Sequence, residues 1–134
     1  MWKELILTRK DWQTMLRHVI RCAPLEACGL LAGSSVQVEA VLPMHNTAQS
    51  TVSFGLDPQE QWRGFKRIEA RGWELVGIYH SHPQGPSHLS SRDIAEAMYP
   101  VVYVLWWQCE GHWHAGGFWI QEQEVTEVDL KVVD

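Results

Sequence analysis

Apolar and polar residues alternate along the chain with two different periods, and these periods predict strands and helices in turn. Strict alternation over residues 36–40 is typical of a half-exposed strand. Residues 101–107 form the most β-prone run and predict a central strand. A helix with one apolar face is predicted after Thr8, because the apolar residues there recur at helical spacing: Trp12, Met15, Leu16, Val19 and Ile20.

Extended to the whole chain, the pattern predicts ten elements in the order β-α-β-β-α-β-α-β-β-β. The predicted strands are residues 4–7, 28–33, 36–40, 75–79, 101–107, 113–120 and 125–132. The predicted helices run from Thr8 to Cys22, from Asp57 to Gly72, and over residues 94–98. Hairpins and crossovers are mixed in this order. It therefore predicts an α/β (mixed α+β) fold with a single mixed sheet flanked by helices, and not a doubly wound parallel sheet.

Composition predicts one soluble domain that covers residues 1–134. The residues are 46% apolar and 20% charged, as in ordinary globular proteins. A net charge of −5 argues against a nucleic-acid partner, which would need a basic face. No apolar run approaches the ~18 residues of a membrane span, and no basic-then-apolar leader opens the chain. Three cysteines without a CxxC pair make a disulfide framework improbable, so we expect a cytoplasmic protein without a membrane partner.

The candidate chemistry lies at the end of the fourth predicted strand. His80 and His82 are separated by one residue, so their side chains project to the same side of a strand, and Pro83 then ends it. Asp93 follows after a loop rich in Gly, Pro and Ser. Two imidazoles and one carboxylate are three of the four ligands of a catalytic zinc site, which leaves one position for water. The alternative for Ser90 and Asp93 is a helix capping box without metal.

An open zinc site also needs a base that takes a proton from water and delivers it to the leaving nitrogen. Glu26 is the candidate, because it precedes a buried strand whose end could lie beside His80. The alternative is that Glu26 is an exposed loop carboxylate, which is the commonest fate of a glutamate.

These residues resemble the motif of the JAMM (MPN+) metalloproteases, E…HxHPx6SxxD. Glu26, the run His80-Ser81-His82-Pro83, then Ser90 and Asp93 occupy its positions. The flanking residues 26–33 and 54–58 also resemble the small bacterial and archaeal members, and the resemblance covers residues 4–120. A lone HxH is weak evidence, whereas HxHP with Ser and Asp at these spacings is specific.

The resemblance implies a cytidine-deaminase-like sheet fold and one zinc ion held by His80, His82 and Asp93, with a bound water as fourth ligand. It implies that Glu26 is the general base and that the Ser90 hydroxyl stabilises the oxyanion. The implied reaction is hydrolysis of a peptide or isopeptide bond at the C-terminus of ubiquitin or a ubiquitin-like protein, including sulfur carriers. We expect a minimal enzyme that recognises an extended tail beside a sheet edge.

Three alternatives stay open. A non-catalytic MPN scaffold would share the fold without the ligands, a RadC-like protein linked to DNA repair shares the motif spacing, and a metal-dependent binding module could have another partner. His112 and His114 are interpreted as residues on the exposed face of a half-buried strand, and His88 as an exposed loop residue. Cys28 is interpreted as a small buried residue of a strand.

Core packing is the interpretation for Trp62 and Trp106. It is also preferred for Trp107, Trp113 and Trp119, for which an exposed aromatic groove that binds a partner's tail is the alternative. The apolar surface that the eight tryptophans imply makes a homodimer a further hypothesis.

Overall fold

The structure, a computed structural model, describes residues 2–134 and contains ten elements in the predicted order. The helices are α1 (Arg9–Cys22), α2 (Pro58–Ala70) and α3 (Ser91–Ala95). The strands are β1 (Glu4–Thr8), β2 (Cys28–Ser34), β3 (Gln37–Met44), β4 (Glu74–His82), β5 (Val102–Cys109), β6 (His112–Gln121) and β7 (Glu124–Val133). The mixed α+β composition predicted from the sequence is thereby confirmed.

The two long helices begin at side chains that cap their free N–H groups. Thr8 Oγ1 accepts a hydrogen bond of 3.1 Å from the Asp11 N–H at the start of α1. At the start of α2 the Asp57 side chain caps the helix and Pro58 occupies the first turn, where no N–H is needed. Among residues 2–134, no helix combines the length and the apolarity that crossing a membrane requires.

The seven strands form one mixed sheet in the order β1-β3-β2-β4-β5-β6-β7, and β1 closes it by pairing with both β3 and β7. β4 is antiparallel to β2 and parallel to β5, so it lies in the middle of the sheet with a neighbour on each side. The single mixed sheet was predicted, whereas its closure into a barrel was not. The expectation that a substrate tail lies beside a sheet edge stays a prediction, and β4 itself offers no free edge, because β2 and β5 pair with both of its sides.

Two apolar clusters pack against the sheet and hold β4 in a fixed position. The first includes residues of α1, β4 and β5, among them Met15, Val19, Val76, Val104 and Trp106. The second includes residues of α2, β2, β3 and β4, among them Leu30, Leu42, Ile68 and Ile78. β4, the strand that carries the two histidines, therefore packs in both clusters, and this close packing holds its backbone in place.

Several boundaries differ from the prediction. β3 continues to Met44, and α3 begins three residues earlier than expected, at Ser91, whereas β4 ends at His82, just before Pro83, as predicted. The inward orientation predicted for Trp62 is wrong, because its side chain is 61% exposed and lies beneath the Lys66 ammonium group. α2 instead buries Gly64 and Ile68, and Trp62 lies about 200° around the helix from Gly64.

Candidate metal centre

Four side chains from three separate parts of the chain meet at the end of β4. His80 and His82 are the seventh and ninth residues of that strand, and Asp93 lies in the first turn of α3. Glu26 precedes β2, which pairs with β4 and begins opposite His80. A backbone hydrogen bond of 3.1 Å from Ser81 N to Ala27 O continues this pairing towards Glu26. The strand pairing thus brings a carboxylate from far upstream to the two histidines.

The distances among these side chains fit a small metal ion. Asp93 Oδ2 lies 3.1 Å from His80 Nε2 and 3.1 Å from His82 Nε2. In a tetrahedral zinc site with bonds of about 2.0–2.1 Å, neighbouring ligand atoms are about 3.3–3.4 Å apart. Glu26 Oε2 is farther away, 4.0 Å from His82 Nε2. Glu26, His80 and His82 offer ligand atoms within 4.8 Å of one another and form a possible metal-binding group.

The hydrogen bonding of His82 leaves its Nε2 free to act as a ligand. Nδ1 lies 2.9 Å from the Pro86 carbonyl oxygen, which can only accept, so Nδ1 carries a proton. In the neutral ring, Nε2 is then an acceptor that faces a carboxylate oxygen of Asp93. Two acceptors at 3.1 Å repel each other unless a proton or a metal cation lies between them. A carbonyl that orients the other ring nitrogen is typical of zinc-binding histidines.

The pKa values of the two imidazoles differ because their surroundings differ. Burial acts to lower the pKa of His82, but its contacts with Asp93, the Pro86 carbonyl and Glu26 outweigh burial and raise it. Burial dominates for His80 and lowers its pKa, so that ring is neutral. The raised pKa of His82 shows that its surroundings favour a positive charge between His82 Nε2 and Asp93 Oδ2, as either a proton or a metal cation would supply.

His80 is 1% exposed, and neither of its ring nitrogens has a hydrogen-bond partner among residues 2–134. Its contact with Asp93 has the length of a hydrogen bond but not the direction. The Phe54 ring stacks on the imidazole with a centroid separation of 4.8 Å. A buried imidazole without a partner is rare, and ligation of a metal by Nε2 would account for that nitrogen, although not for Nδ1.

Asp93 belongs both to a helix cap and to the cluster. The Asp93 N–H donates to Ser90 Oγ over 3.0 Å, and the Ser90 N–H donates to Asp93 Oδ2 over 2.8 Å. The capping box is therefore present, and the same oxygen faces both imidazoles. Burial acts to raise the pKa of Asp93, but the imidazoles and the Ser90 N–H outweigh it and hold the pKa far below its usual range. The Ser90 hydroxyl still has its own proton to donate.

The Glu26 side chain is buried beside the cluster, with 2% of the residue exposed, and its Oε1 has no hydrogen-bond partner within the described chain. The alternative of an exposed loop carboxylate is thus excluded. Burial raises the pKa of Glu26 from 4.5 to about 7, partly offset by His82 and reinforced by the charge of Asp93. A carboxyl group of this kind can exchange protons near neutral pH.

The sequence analysis did not identify the residues that hold Glu26. The Asn46 side chain donates to Glu26 O over 3.0 Å and to Ser53 O over 2.9 Å, and its Oδ1 accepts from Ala48 N and Gly55 N, each over 3.0 Å. This one amide therefore ties the segment before β2 to the loop that carries Phe54. Asn46 lies in a polar, irregular stretch and had no distinguishing pattern.

Ser81 is a second supporting residue, and it lies between the two histidines. Its hydroxyl is buried and accepts a hydrogen bond of 2.8 Å from Ala27 N, the residue after Glu26. A signal for Ser81 exists in the sequence, because a small polar residue between two predicted ligands in a buried strand needs a partner. The expected partner, however, could only be found in three dimensions.

The remaining candidates lie outside the cluster. His88, His112 and His114 are exposed, and the His114 ring stacks on Trp107 with a centroid separation of 5.7 Å. Cys28 is fully buried, which confirms its interpretation as a small strand residue. All three cysteines are free thiols. Trp106 and Trp119 are buried, as predicted, whereas Trp107 and Trp113 are half-buried.

Residues 8–126 match the family of prokaryotic homologs of the JAB domain, Prok-JAB. The chain belongs to this family. The Prok-JAB chain is 44% identical over 89 residues to the probable TtuB-protein conjugate cleaving protease of Thermus thermophilus, an alignment that covers 66% of this chain and 60% of that protein. The chain thus matches less than two thirds of that relative's length.

Two further relatives align over most of both chains. The Prok-JAB chain is 31% identical to the desampylase of Pyrococcus furiosus, over 96% of this chain and 89% of that one. It is 35% identical to the CysO-cysteine peptidase of Mycobacterium tuberculosis, over 90% of this chain and 85% of that one. The resemblance to small prokaryotic JAMM proteins is thereby confirmed.

Solved structures agree with the fold of this Prok-JAB chain. A protein from Desulfitobacterium hafniense has a TM-score of 0.88 and 32% identity, with 97% of this chain and 93% of that chain covered. A JAB1/MPN domain protein from Archaeoglobus fulgidus has a TM-score of 0.63 and 18% identity, with 97% and 98% covered, and shows the fold alone. The predicted MPN-type fold is confirmed.

Proposed function

We propose that this chain is a zinc-dependent metallopeptidase that hydrolyses peptide or isopeptide bonds at the C-terminus of ubiquitin-like proteins, including sulfur carriers. One observation carries the proposal: Asp93 Oδ2 lies 3.1 Å from both His80 Nε2 and His82 Nε2, with the buried Glu26 carboxyl group just beyond. The substrate class is supported by relatives described as a TtuB-protein conjugate cleaving protease, a desampylase and a CysO-cysteine peptidase. Residues 1–134 act as a single domain in this proposal.

The proposed cofactor is one zinc ion held by His80 Nε2, His82 Nε2 and Asp93 Oδ2, with a water in the fourth position. When bound there, such an ion would polarise the scissile carbonyl and would lower the pKa of the water to near 7. Glu26 stays outside the ligand set, because its separation of 4.0 Å from His82 Nε2 exceeds the 3.1 Å that joins Asp93 to each imidazole. Its carboxyl group is then free for proton transfer.

Glu26 acts as the general base in the proposed reaction. One carboxylate oxygen takes a proton from the attacking water and later delivers that proton to the leaving nitrogen. Burial supports this role, because a carboxyl group with a pKa near 7 both accepts and returns a proton at neutral pH. The Ser90 hydroxyl donates to the oxyanion that develops on the scissile carbonyl, a contact whose loss costs about 2.7–4 kcal/mol in comparable enzymes.

The non-catalytic alternatives have less support. A scaffold or a binding module does not need a carboxyl group such as that of Glu26, which is buried beside the ligands with one oxygen unpaired. Burying such a group costs folding free energy, and enzymes commonly bear this cost at catalytic sites. No observation on the described residues favours a role in DNA repair.

The test is incubation of the zinc-loaded protein with TtuB, CysO and ubiquitin, each with a short C-terminal extension, followed by mass spectrometry. We expect at least one substrate to lose the mass of its extension. Glu26→Gln should keep one zinc per chain and lower the rate by about 10²–10⁴-fold. Glu39→Gln, the same change at an exposed residue of β3, is the matched control and should cleave like the wild type.

Two results would contradict the proposal. If the zinc-loaded wild type cleaves none of the extended substrates, the proposed hydrolase activity is rejected. If Glu26→Gln cleaves as fast as the wild type, Glu26 is not the base, whatever its position beside the ligands.

A further inference from the structure

An apolar cavity of about 40 Å³ lies beside the metal centre and shares two of its residues. His80 and Asp93 form one side of the cavity. The rest of its wall is mainly apolar and comes from the loop before α2, from both sides of α3, and from β5 and β6: Phe54, Leu89, Ala97, Tyr103 and Ile120. Leu89 and Tyr103 are each only 6% exposed, so they form a fixed part of the wall.

Two polar residues of this cavity, Arg92 and Tyr103, already have partners, whereas the ring nitrogens of His80 have none among the described residues, and His80 Nε2 is assigned to the zinc ion in the proposed function. At the rim, Arg92 Nε donates to Glu96 Oε1 over 3.0 Å. The Tyr103 hydroxyl accepts from Tyr99 N over 3.2 Å and donates to Tyr99 O over 3.4 Å. Most of the wall away from His80 and the rim is apolar, so a polar group that entered there would lose water without gaining a partner, whereas an aliphatic group would gain from burial. The cavity is therefore suited to an uncharged, aliphatic side chain.

The position of Glu26 indicates which part of a substrate would reach the cavity. This step rests on the proposed function, in which Glu26 delivers a proton to the leaving nitrogen. The leaving amine must then lie on the side of the ligands where Glu26 lies. His80 and Asp93 line the cavity but Glu26 does not, and this favours a position of the cavity on the acyl side of the scissile bond.

We propose that this cavity, the acyl-side pocket, binds an aliphatic side chain from one of the last three residues before the scissile bond. Three extended residues span about 10 Å, which limits the choice to residues close to the reacting carbonyl. A volume of about 40 Å³ has room for about three water-sized groups, which matches the end of a valine or leucine side chain. An indole ring is too large for it.

The experiment uses TtuB with a C-terminal extension, in which each of the three residues before the scissile bond is in turn Gly, Leu or Trp. At one of these positions we expect Leu to raise kcat/KM about tenfold over Gly, and Trp to lower it. Ala97→Leu fills the pocket and should reduce the ratio of Leu to Gly rates to about one. Ala95→Leu makes the same change at an exposed residue of α3 outside the wall, and should leave the ratio as in the wild type.

A second variant changes the pocket in the opposite direction. Ile120→Ala enlarges it, so the preferred side chain should shift from Leu towards Phe. This outcome does not depend on how well Ala97→Leu folds. The inference is overturned if no position prefers Leu over Gly, or if Ala97→Leu and Ala95→Leu give the same ratio.

A binding measurement separates failure of this inference from failure of the proposed function. Peptides that end at the scissile position are added to methyl-labelled protein, and the NMR signals of Leu89 and Ile120 are followed. The Leu-containing peptide should shift both signals and the all-Gly peptide should not. Equal shifts would overturn the pocket, whereas selective shifts without hydrolysis of any substrate would contradict only the proposed activity.

Discussion

Burial of the Glu26 carboxyl group destabilises the metal-free chain at alkaline pH. Its folded-state pKa of about 7 lies above the ordinary value of 4.5, so the folded state binds the proton more tightly than the unfolded state. The associated stability is fully present below pH 4.5 and is lost as the pH rises through 7. Chelator-treated Glu26→Gln lacks this pH dependence and should be more stable than the wild type at pH 8, by on the order of 3 kcal/mol.

Urea unfolding of both chelator-treated proteins at pH 5 and pH 8 measures this difference. The gain should shrink to under about 1 kcal/mol at pH 5, because Glu26 is then protonated in the folded wild type. Glu39→Gln should show no comparable gain, since Glu39 is exposed. An equal gain at both pH values would mean that burial of the charge is not its cause.

Asn46 is expected to support catalysis without touching the substrate. Asn46→Asp keeps the oxygen that accepts from Ala48 N and Gly55 N, but replaces the donor to Glu26 O and Ser53 O by an acceptor. We expect kcat to fall at least ~10-fold with KM nearly unchanged, and the free energy of unfolding to fall by about 1–3 kcal/mol.

Steady-state kinetics and zinc analysis of Asn46→Asp provide the measurement. Zinc content should stay at the wild-type level, because His80, His82 and Asp93 do not contact Asn46. Gln49→Glu makes the same amide-to-acid change at an exposed residue of the same loop and should leave kcat unaltered. Loss of zinc from Asn46→Asp would indicate general disruption of the site instead of misplacement of Glu26.

At the scale of elements, α3 combines a structural role and a proposed chemical role in Ser90. The two roles can be separated because glycine at an N-cap costs only a few tenths of a kcal/mol, whereas alanine costs about 1 kcal/mol. If the hydroxyl stabilises the oxyanion, Ser90→Gly and Ser90→Ala should both lose about 10²–10³-fold in kcat. Only Ser90→Ala should lose measurable stability by thermal unfolding.

The opposite pattern would leave Ser90 with the cap alone. In that case Ser90→Gly would hydrolyse substrate nearly as fast as the wild type, while Ser90→Ala would be slower because the cap that holds Asp93 is weakened. Both variants remove the Ser90 hydroxyl and differ mainly in how well they cap α3. Their difference in rate therefore reports on the cap alone.

The elements differ in how far the sequence predicts them, and the difference follows from the range of the interactions. The cap at Ser90 and the alternation that aligns His80 with His82 are local, so spacing alone predicts them. Closure of the sheet depends on pairing of β1 with β7 across almost the whole chain, for which periodicity has no signal. The exposure of Trp62 depends on how α2 is rotated against β2 and β3, which the composition of the helix does not determine.

For the whole molecule, the tryptophans give less reason for a homodimer than their number suggested. Trp106 and Trp119 are buried. Trp62 is exposed, but the Lys66 ammonium group lies over its ring and interacts with it. The homodimer stays a prediction, which light scattering of the purified protein at micromolar concentration checks directly. A mass close to 15.4 kDa would contradict it.

A bound zinc ion would connect the rigid part of the molecule to its least anchored part. His80 and His82 lie in the middle of the sheet, whereas α3 has five residues and none of them is buried. Residues 84–98 should therefore depend on the ion more than the strands do. Chelation should remove about 2.7 kcal/mol of stability relative to protein in free zinc at 100 times its dissociation constant.

Hydrogen exchange with and without chelator tests where this stability is lost. Protection should fall mainly in residues 84–98, while β5 and β6 keep theirs, because local opening requires little loss of buried apolar contact around α3. Asp93→Asn is the control: its amide oxygen can still accept the hydrogen bond from the Ser90 N–H, but the side chain binds zinc poorly, so chelator should change neither its exchange nor its unfolding midpoint. Equal loss of protection over the whole sheet would mean that the ion stabilises the barrel itself. Identical effects of chelator on Asp93→Asn and on the wild type would mean that zinc binds at other residues.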